Sequence, residues 1–307
     1  GGLLATIVSA FKRSRVGEWL LLAWVVTLLL GIVPFFEVKF LRYVVPVLPV
    51  MILLGSRWLV TAYLLVRART LARRFVVILI VSVIASTVFY ALSFVNIYRQ
   101  PHPALQASEW INQAVASGAV ILTDNHWDEG FADLGSFQVS QLPMYEADTL
   151  TKVGRVANLV SRGDYIMAYS NRPWGSIARV PERYPYSSAY YRALFSGELG
   201  YELVRAFGRY PTLLGLSFAH DPFGRAGVER PQTLPGIDGG ALTVDLGWAD
   251  ENVANYDHPI VLIWENTGRS TYDEVRSILL AGDATIEERA MLDAASVAAQ
   301  RQGGSWS

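Results

Sequence analysis

The sequence predicts a membrane α-helical bundle with three full spans and a partial one, followed by a soluble α/β domain. Three apolar runs of 18, 24 and 24 residues lie within the first 98 positions. Residues 1–95 carry 10 basic and 2 acidic side chains, a net charge of +8, whereas the remainder carries 16 basic and 25 acidic side chains, a net charge of −9. After residue 98, helix and strand patterns alternate, which is typical of an α/β layer with partly parallel strands.

The composition excludes several classes of protein. Of the 307 residues, 52% are hydrophobic and only 17% charged, whereas ordinary soluble domains carry roughly a quarter charged residues. A single soluble globule, a disordered chain and a disulfide-stapled miniprotein are therefore excluded. Nucleic acid is not an expected partner, because the large polar part is acidic and would repel phosphate.

The three apolar runs cover residues 19–36, 43–66 and 75–98. Each is long enough to cross a hydrocarbon layer of about 30 Å as a helix. Arg57 interrupts the second run near its inner end, where its side chain can extend to the headgroups. Residues 3–11 are too few to span a bilayer, so we interpret residues 1–11 as the tail of a span that begins upstream. The chain is then expected to be the C-terminal part of a longer protein.

Basic loops set the expected orientation, because Lys and Arg are retained on the cytoplasmic side of a membrane. One such loop is residues 12–15 and the other is residues 67–74. Two spans separate them, so both are assigned to the cytoplasm. The short turn at residues 37–42 and everything after residue 98 are then extracellular or periplasmic, in a multi-pass protein of the plasma membrane. The absence of cysteine fits an exported domain without disulfides.

The expected domains are a transmembrane region over 1–98, an exoplasmic α/β domain over 99–281 and a C-terminal helix and tail over 282–307. Within the α/β domain, Gly, Pro and Asp are frequent over residues 219–255, which predicts a long irregular loop or lid. The predicted helices are 103–116, 151–161 and 187–196, the predicted strands are 119–123, 165–169, 201–207 and 259–264, and capping boxes at 270–273 and 285–288 start two terminal helices.

Two cations mark the outer end of the second span. Lys39 and Arg42 precede Pro46 and Pro49, so positive charge lies at phosphate depth above a loosened helix. Arg can bind the oxygens of a lipid phosphate or pyrophosphate in a bidentate manner, and Lys acts as a point charge. The alternative is an ordinary interfacial anchor, which is common at the ends of spans.

Polar and aromatic groups in the soluble part give further candidates. Residues 124–129 (DNHWDE) follow a predicted strand and include Trp127 and Asp128; they suit metal binding or acid–base chemistry, although a structural loop is the more common role. No second histidine lies at ligand spacing. His258 precedes a strand, where it is expected to fix a turn. A tyrosine run, namely Tyr184, Tyr186, Tyr190 and Tyr191, could stack on sugar rings or pack in the core.

Several phrases of the sequence resemble one family. They are KFLRYVVPVLP at 39–49, ASEWI at 107–111, WD at 127–128, SNR at 170–172, RVPERYPY at 179–186, YY at 190–191, FSGELG at 195–200 and YDHPIVLI at 256–263. Together they resemble the C-terminal half of bacterial polytopic glycosyltransferases of the GT-C superfamily. The group is dolichyl-phosphate-mannose:protein mannosyltransferase-like (family 39 type), with its multi-spanning relatives. The resemblance extends from about residue 36 to residue 263.

The resemblance implies inverting transfer of a sugar from a polyprenyl-phosphate donor to an acceptor at the outer membrane face. In this superfamily the catalytic carboxylate lies in the first outer loop, which is expected outside this chain, and Glu37 is not assigned that role. Lys39 and Arg42 match the basic patch beside the donor phosphate.

On the acceptor side, the resemblance leaves Trp127, Asp128, Tyr190 and Tyr191 as candidates. A divalent metal is implied by resemblance only, since the sequence has no ligand set for one. The alternative from another class is a non-catalytic, membrane-anchored exoplasmic binding or assembly module.

Overall fold

The computed structural model describes residues 16–35, 41–124, 130–232, 234, 237, 240–249 and 251–282, with the backbone alone at positions 18, 41 and 42. The chain divides into two compact units, Gly1–Leu92 and Ser93–Ser307. The partial span predicted over residues 1–11 and the capping box at 285–288 lie outside the described residues.

The first unit consists, in its described part, of helical segments and a turn at residues 67–69. Its elements are α1 (Val16–Val26), which continues as a π-helix (Thr27–Ile32) and a 3-10 turn (Val33–Phe35), a 3-10 helix (Leu41–Val47), α2 (Leu48–Val66) and most of α3 (Thr70–Val95). Pro46 lies inside the 3-10 helix and a proline occupies the first turn of α2, where no intrahelical amide donor is needed. The indole Nε1 of Trp24 donates to the Pro46 carbonyl at 3.1 Å.

Two helical segments are long and apolar enough to cross a membrane: Tyr43–Val66, and the one that begins with α3. Many of their apolar side chains, such as Leu65 and Ile84, are exposed, as expected for helices that contact lipid rather than a protein core. The first predicted span corresponds to a shorter apolar helix, Trp19–Phe35.

The second unit is a mixed α/β domain. Its helices are the end of α3, a 3-10 turn (Asn96–Arg99), α4 (Pro103–Ala114), α5 (Leu150–Arg162), α6 (Arg172–Ile177), α7 (Pro185–Ser196), a 3-10 turn (Glu251–Val253) and α8 (272–282, where the description ends). Its strands are β1 (Val120–Thr123), β2 (Gln138–Gln141), β3 (Tyr165–Ala168), β4 (Tyr201–Phe207), β5 (Thr212–Leu213), β6 (Leu216–Asp221), β7 (Leu242–Trp248) and β8 (Val261–Asn266). The predicted helix–strand pairs α4–β1, α5–β3 and α7–β4 are confirmed.

The main sheet has the order β2-β1-β3-β8-β4. Strands β2, β1 and β3 are parallel, whereas β8 runs antiparallel to both β3 and β4. One face packs Ile121, Met167 and Ile263 against α4, and the other packs Leu122 and Trp264 with the side chains of α5, α6 and α7. The domain therefore has helices on both faces of a mixed sheet.

The irregular loop predicted over residues 219–255 is wrong in part. Residues 219–221 belong to β6 and residues 242–248 form β7, which pairs with β6 in parallel. Together with β5, which forms an antiparallel hairpin with β6, they make a second, three-stranded sheet. The β7 sequence LTVDLGW alternates apolar and polar residues, the period of a strand. The glycines and prolines that flank it led to the loop prediction.

The capping box predicted at residues 270–273 is displaced by one residue. The Thr271 hydroxyl accepts from the Glu274 backbone N–H at 3.3 Å, and the Glu274 carboxylate accepts from the Thr271 backbone N–H at 2.7 Å. Helix α8 starts at residue 272, so Thr271 is its N-cap, and the longer Glu side chain can return to the cap amide.

Candidate functional site

One edge of the main sheet collects polar side chains from distant parts of the sequence. The carboxyl ends of parallel β1 and β3 lead into Asp124 and Ser170, and the antiparallel strand β8 begins beside them. After β1 the chain continues to β2 on one side, and after the neighbouring strand β3 it continues to β4 on the other side. In α/β proteins, ligands bind outside the carboxyl ends of strands at such a position. We name this region, Asp124, Ser170, Arg172, Tyr256 and His258, the polar edge.

Asp124 anchors the first part of the polar edge. It directly follows β1 and is buried, and one of its carboxylate oxygens accepts from the Tyr191 hydroxyl at 2.9 Å. Burial, followed by the nearby Asp124 charge, raises the pKa of Tyr191 far above its ordinary value. Tyr191 therefore stays protonated and remains a hydrogen-bond donor at all physiological pH values.

The acceptor-side role of Tyr190 and Tyr191 is corrected by this geometry. Both side chains are completely buried, with ring centroids 5.0 Å apart in an edge-to-face arrangement. A ring without solvent access has no free face for a sugar, so both tyrosines belong to the core. The adjacent Tyr184 and Tyr186 are partly buried and pack against the same core.

Arg172 joins two chain segments at the polar edge. One of its terminal nitrogens donates to the Tyr256 hydroxyl at 2.9 Å, and its Nε lies 3.5 Å from a carboxylate oxygen of Glu251. The Ser170 hydroxyl accepts from the Arg172 backbone N–H at 3.2 Å. Tyr256 is exposed, so the pair offers solvent an aromatic ring beside a fixed cation. Such a combination suits a hydroxyl-rich or anionic ligand.

Histidine rings form a second group at the same edge. His258 is 1% exposed, and its ring centroid lies 5.4 Å from that of His220 and 5.7 Å from that of Phe94. Neither ring nitrogen of His258 has a hydrogen-bond partner among the described residues. Burial, reinforced by His220, lowers the pKa of His258 to about 4, so the ring is neutral at physiological pH. The side chain packs as an aromatic group, and the His258 backbone N–H donates to the Ala254 carbonyl at 2.8 Å, which closes the turn before β8.

The segment that follows α3 is fastened to this edge. Arg209, just after β4, donates to the carbonyl of Ile97 at 2.7 Å and to that of Pro101 at 2.6 Å. His102 caps α4, because its Nδ1 accepts from the Ala104 backbone N–H at 3.2 Å. The Tyr98 hydroxyl also donates to the carboxylate of Asp257, the residue between Tyr256 and His258, so side-chain hydrogen bonds hold the chain leaving α3 next to the polar edge.

The structure describes the remaining predicted site residues only in part or not at all. Lys39, Trp127 and Asp128 lie outside the described residues, and Arg42 lies in the 3-10 helix Leu41–Val47 with its backbone alone described. Within the described ranges, no group of three or more His, Asp and Glu side chains is arranged to hold a metal ion. That part of the chain therefore offers no fit for the divalent metal that the resemblance implies.

Sequence reasoning missed the pairing of Arg172 with Tyr256. Both residues belong to phrases that carry the family resemblance, but they are 84 positions apart. A periodic pattern reports only local structure, so nothing in the residues between them indicates the contact. One indication in the sequence links the two residues, namely that each belongs to a phrase of the family resemblance.

Comparisons of the chain with models of protein families, with curated proteins and with solved structures give no match. The family resemblance therefore depends on the sequence phrases alone.

Proposed function

We propose that the protein works as an integral-membrane glycosyltransferase of the GT-C type, which transfers a sugar from a polyprenyl-phosphate donor to an acceptor at the outer membrane face. The observation that carries this proposal is the Arg172–Tyr256 hydrogen bond of 2.9 Å. It unites the SNR and YDHPIVLI phrases of the resemblance at one exposed position. The WD phrase begins three residues after Asp124 in the sequence.

The donor end of the reaction is assigned to Lys39 and Arg42. Departure of the sugar leaves negative charge on the polyprenyl phosphate, and fixed cations beside that phosphate stabilise the transition state in which the charge develops. Arg42 would bind two phosphate oxygens and Lys39 would add a point charge. No carboxylate of this chain is assigned as the catalytic base.

The acceptor end is assigned to the polar edge. Tyr256 offers an exposed ring on which a sugar or another flat apolar face can stack, and Arg172 holds that ring in place. Trp127 and Asp128 are retained as further acceptor-side candidates.

The proposed topology places the α/β domain outside the plasma membrane. Two helices suitable for crossing a membrane support membrane association. The multi-pass arrangement and the outward orientation depend on the basic loops at residues 12–15 and 67–74, which the positive-inside rule assigns to the cytoplasm.

The test is sugar transfer by the full-length protein in proteoliposomes, with radiolabelled polyprenyl-phosphate-linked hexoses as donors. A charge-assisted hydrogen bond contributes about 1.5–3 kcal/mol, so Arg42→Ala is expected to raise the donor KM by roughly 10- to 100-fold. Arg73→Ala, which removes a cation from the basic loop at 67–74, is the matched control and is expected to leave the donor KM unchanged.

A second variant tests the acceptor assignment separately from the donor assignment. Arg172→Ala is expected to raise the acceptor KM while the donor KM stays within twofold of the wild type. An Arg42→Ala protein with normal donor kinetics would return Lys39 and Arg42 to the role of interfacial anchors. A wild-type protein that binds acceptor but neither transfers sugar nor releases polyprenyl phosphate would favour the non-catalytic binding module.

A further inference from the structure

The three-stranded sheet carries an uncovered apolar face. Strand β7 is an edge strand that pairs only with β6 in this sheet, and all seven of its residues are exposed. Leu242, Val244 and Leu246 are 65%, 38% and 52% exposed, and alternate residues of a strand share one face. The polar residues Thr243 and Asp245 occupy the alternate positions. Strand β7 is therefore amphipathic, yet its apolar side is not covered by the rest of the described chain.

The turn between β5 and β6 extends this apolar surface. Leu214 and Gly215 form its two-residue loop, with φ values of 50° and 82°. Two positive φ values define a type I′ turn, whose first position normally holds Asn, Asp or Gly. Leu214 is instead 92% exposed, in a backbone conformation that disfavours a leucine. The Leu242 backbone N–H donates to the Gly215 carbonyl at 3.1 Å, which makes the turn and the β7 face continuous.

This surface is attached to the point where the chain leaves α3. The Asn96 side-chain amide donates to the Thr212 carbonyl at 2.9 Å, and Asn96 is the first residue after α3. Thr212 precedes Leu214 by two residues, which corresponds to about 7 Å of extended chain. The headgroup region on each side of a bilayer is about 5–7 Å thick. If α3 crosses the membrane, Leu214 lies within reach of the lipid interface.

An aromatic ring and a cation complete the surface. Trp248 ends β7 and is exposed, and the guanidinium carbon of Arg225 lies 4.7 Å from a Trp248 ring centroid. Tryptophan and arginine are characteristic of the membrane interface, where the ring lies among acyl-chain ends and the cation can reach lipid phosphates. A surface that contacts only water would be expected to have polar residues in place of Leu214 and Leu246.

We propose that the β5–β6 turn and the apolar face of β7 dock onto the interface of the phospholipid bilayer that α3 crosses. The apolar side chains enter the boundary between headgroups and acyl chains, and Arg225 pairs with lipid phosphate. The sheet then contacts the bilayer surface and fixes the angle between the α/β domain and the membrane plane. This role holds whether or not the protein transfers sugar.

Depth-dependent fluorescence quenching tests the proposal on the full-length protein, reconstituted at one copy per phospholipid nanodisc. The chain has no cysteine, so Leu214→Cys and Leu246→Cys each give one site for an environment-sensitive fluorophore. Val139→Cys is the matched control, because Val139 is an exposed apolar residue on β2, an edge strand of the other sheet. Lipids carrying a spin label near the headgroup serve as quenchers.

The expected result is blue-shifted emission at positions 214 and 246, with quenching at least twofold stronger than at position 139. Equal quenching at all three positions would overturn the proposal. Blue-shifted emission without lipid quenching would also overturn it, since it would mean that protein covers the surface. Sugar transfer is not a readout here, so failure of this proposal and failure of the proposed function are distinguishable.

Discussion

The Lys152 ammonium lies 2.6 Å from an Asp148 carboxylate oxygen, and both side chains are only 3% exposed. The Asp148 carboxylate also accepts from the backbone N–H groups of Tyr186 and Ser187 at the start of α7. Lys152 in addition donates to the carbonyls of Met144 and Glu146. This buried pair therefore connects α5, the loop before it and α7.

Asp148→Ala is expected to destabilise the α/β domain by about 3–5 kcal/mol, because it leaves a buried ammonium without its counter-ion. Burial lowers the pKa of Lys152, whereas the Asp148 carboxylate raises it, so removal of Asp148 shifts the ammonium further toward its neutral form and relieves part of this cost. The measurement is the thermal unfolding midpoint of the full-length protein in detergent, which should fall by roughly 10 °C.

The matched control is Glu146→Gln, which breaks the ion pair between Arg155 and Glu146. Those side chains are 50% and 58% exposed, and an exposed pair contributes less than about 1 kcal/mol. Equal losses in the two variants would show that the Lys152–Asp148 pair has no special role in stability.

The adjacent Tyr190 and Tyr191 are expected to respond in opposite ways to loss of the hydroxyl. Tyr191→Phe removes a donor from the buried Asp124 carboxylate, which should cost about 1.5–3 kcal/mol. The Tyr190 hydroxyl is buried and has no hydrogen-bond partner among the described residues. Tyr190→Phe removes that unsatisfied group and is expected to be neutral or slightly stabilising.

Thermal unfolding of the two variants checks this contrast within one helix, α7, and with one chemical change. A loss of stability in Tyr190→Phe as large as that in Tyr191→Phe would mean that the Tyr190 hydroxyl has a bonding role.

Local patterns predicted much of the main sheet. Helices α4, α5 and α7 have apolar residues at helical spacing, and each is followed by the predicted strand. Strand β2 was not predicted, because its sequence QVSQ has neither an apolar run nor a regular alternation. It forms by parallel pairing with β1, a partner that lies outside any local window.

The candidate site was predicted less completely than the fold. The position of Asp124 after a strand follows from the sequence, whereas the basic patch expected at Lys39 and Arg42 stays a prediction, because the structure describes neither side chain. The burial of Tyr190 and Tyr191 does not, because aromatic residues suit both a core and a sugar site. Only packing of α7 onto the sheet decides between those roles.

The orientation proposed for the membrane region predicts a difference in labelling between two single-cysteine variants. Leu150→Cys lies at the exposed start of α5, and Arg69→Cys lies in the turn between α2 and α3. In intact cells, a membrane-impermeant maleimide should label position 150 but reach position 69 only after permeabilisation, because basic loops are retained inside. The opposite pattern would invert the topology and contradict an exoplasmic role for the α/β domain.

The buried His258 predicts that the domain loses stability on acidification. The unfolded chain binds a proton near the ordinary histidine pKa of about 6.5, whereas the folded state does so only at about 4. Between these values the unfolded state binds more protons, so stability falls as the pH decreases from 6.5 to 4 and is unaffected by His258 above 6.5. The largest loss from this residue is about 3 kcal/mol.

Four charged or titratable groups near His258 influence its protonation. His220 and Arg209 oppose a positive charge on the ring, as does His102, whereas the Asp257 carboxylate favours it.

The control variant is His258→Phe, which keeps an aromatic ring against Phe94 and cannot titrate. As the pH is lowered from 7 to 4, the thermal midpoint of the variant should fall less than that of the wild type. A residual slope in the variant is expected, because burial also lowers the pKa of His220 and of His102. Parallel pH profiles for the two proteins would show that His258 is protonated without cost, and that the ring is hydrated in the native state.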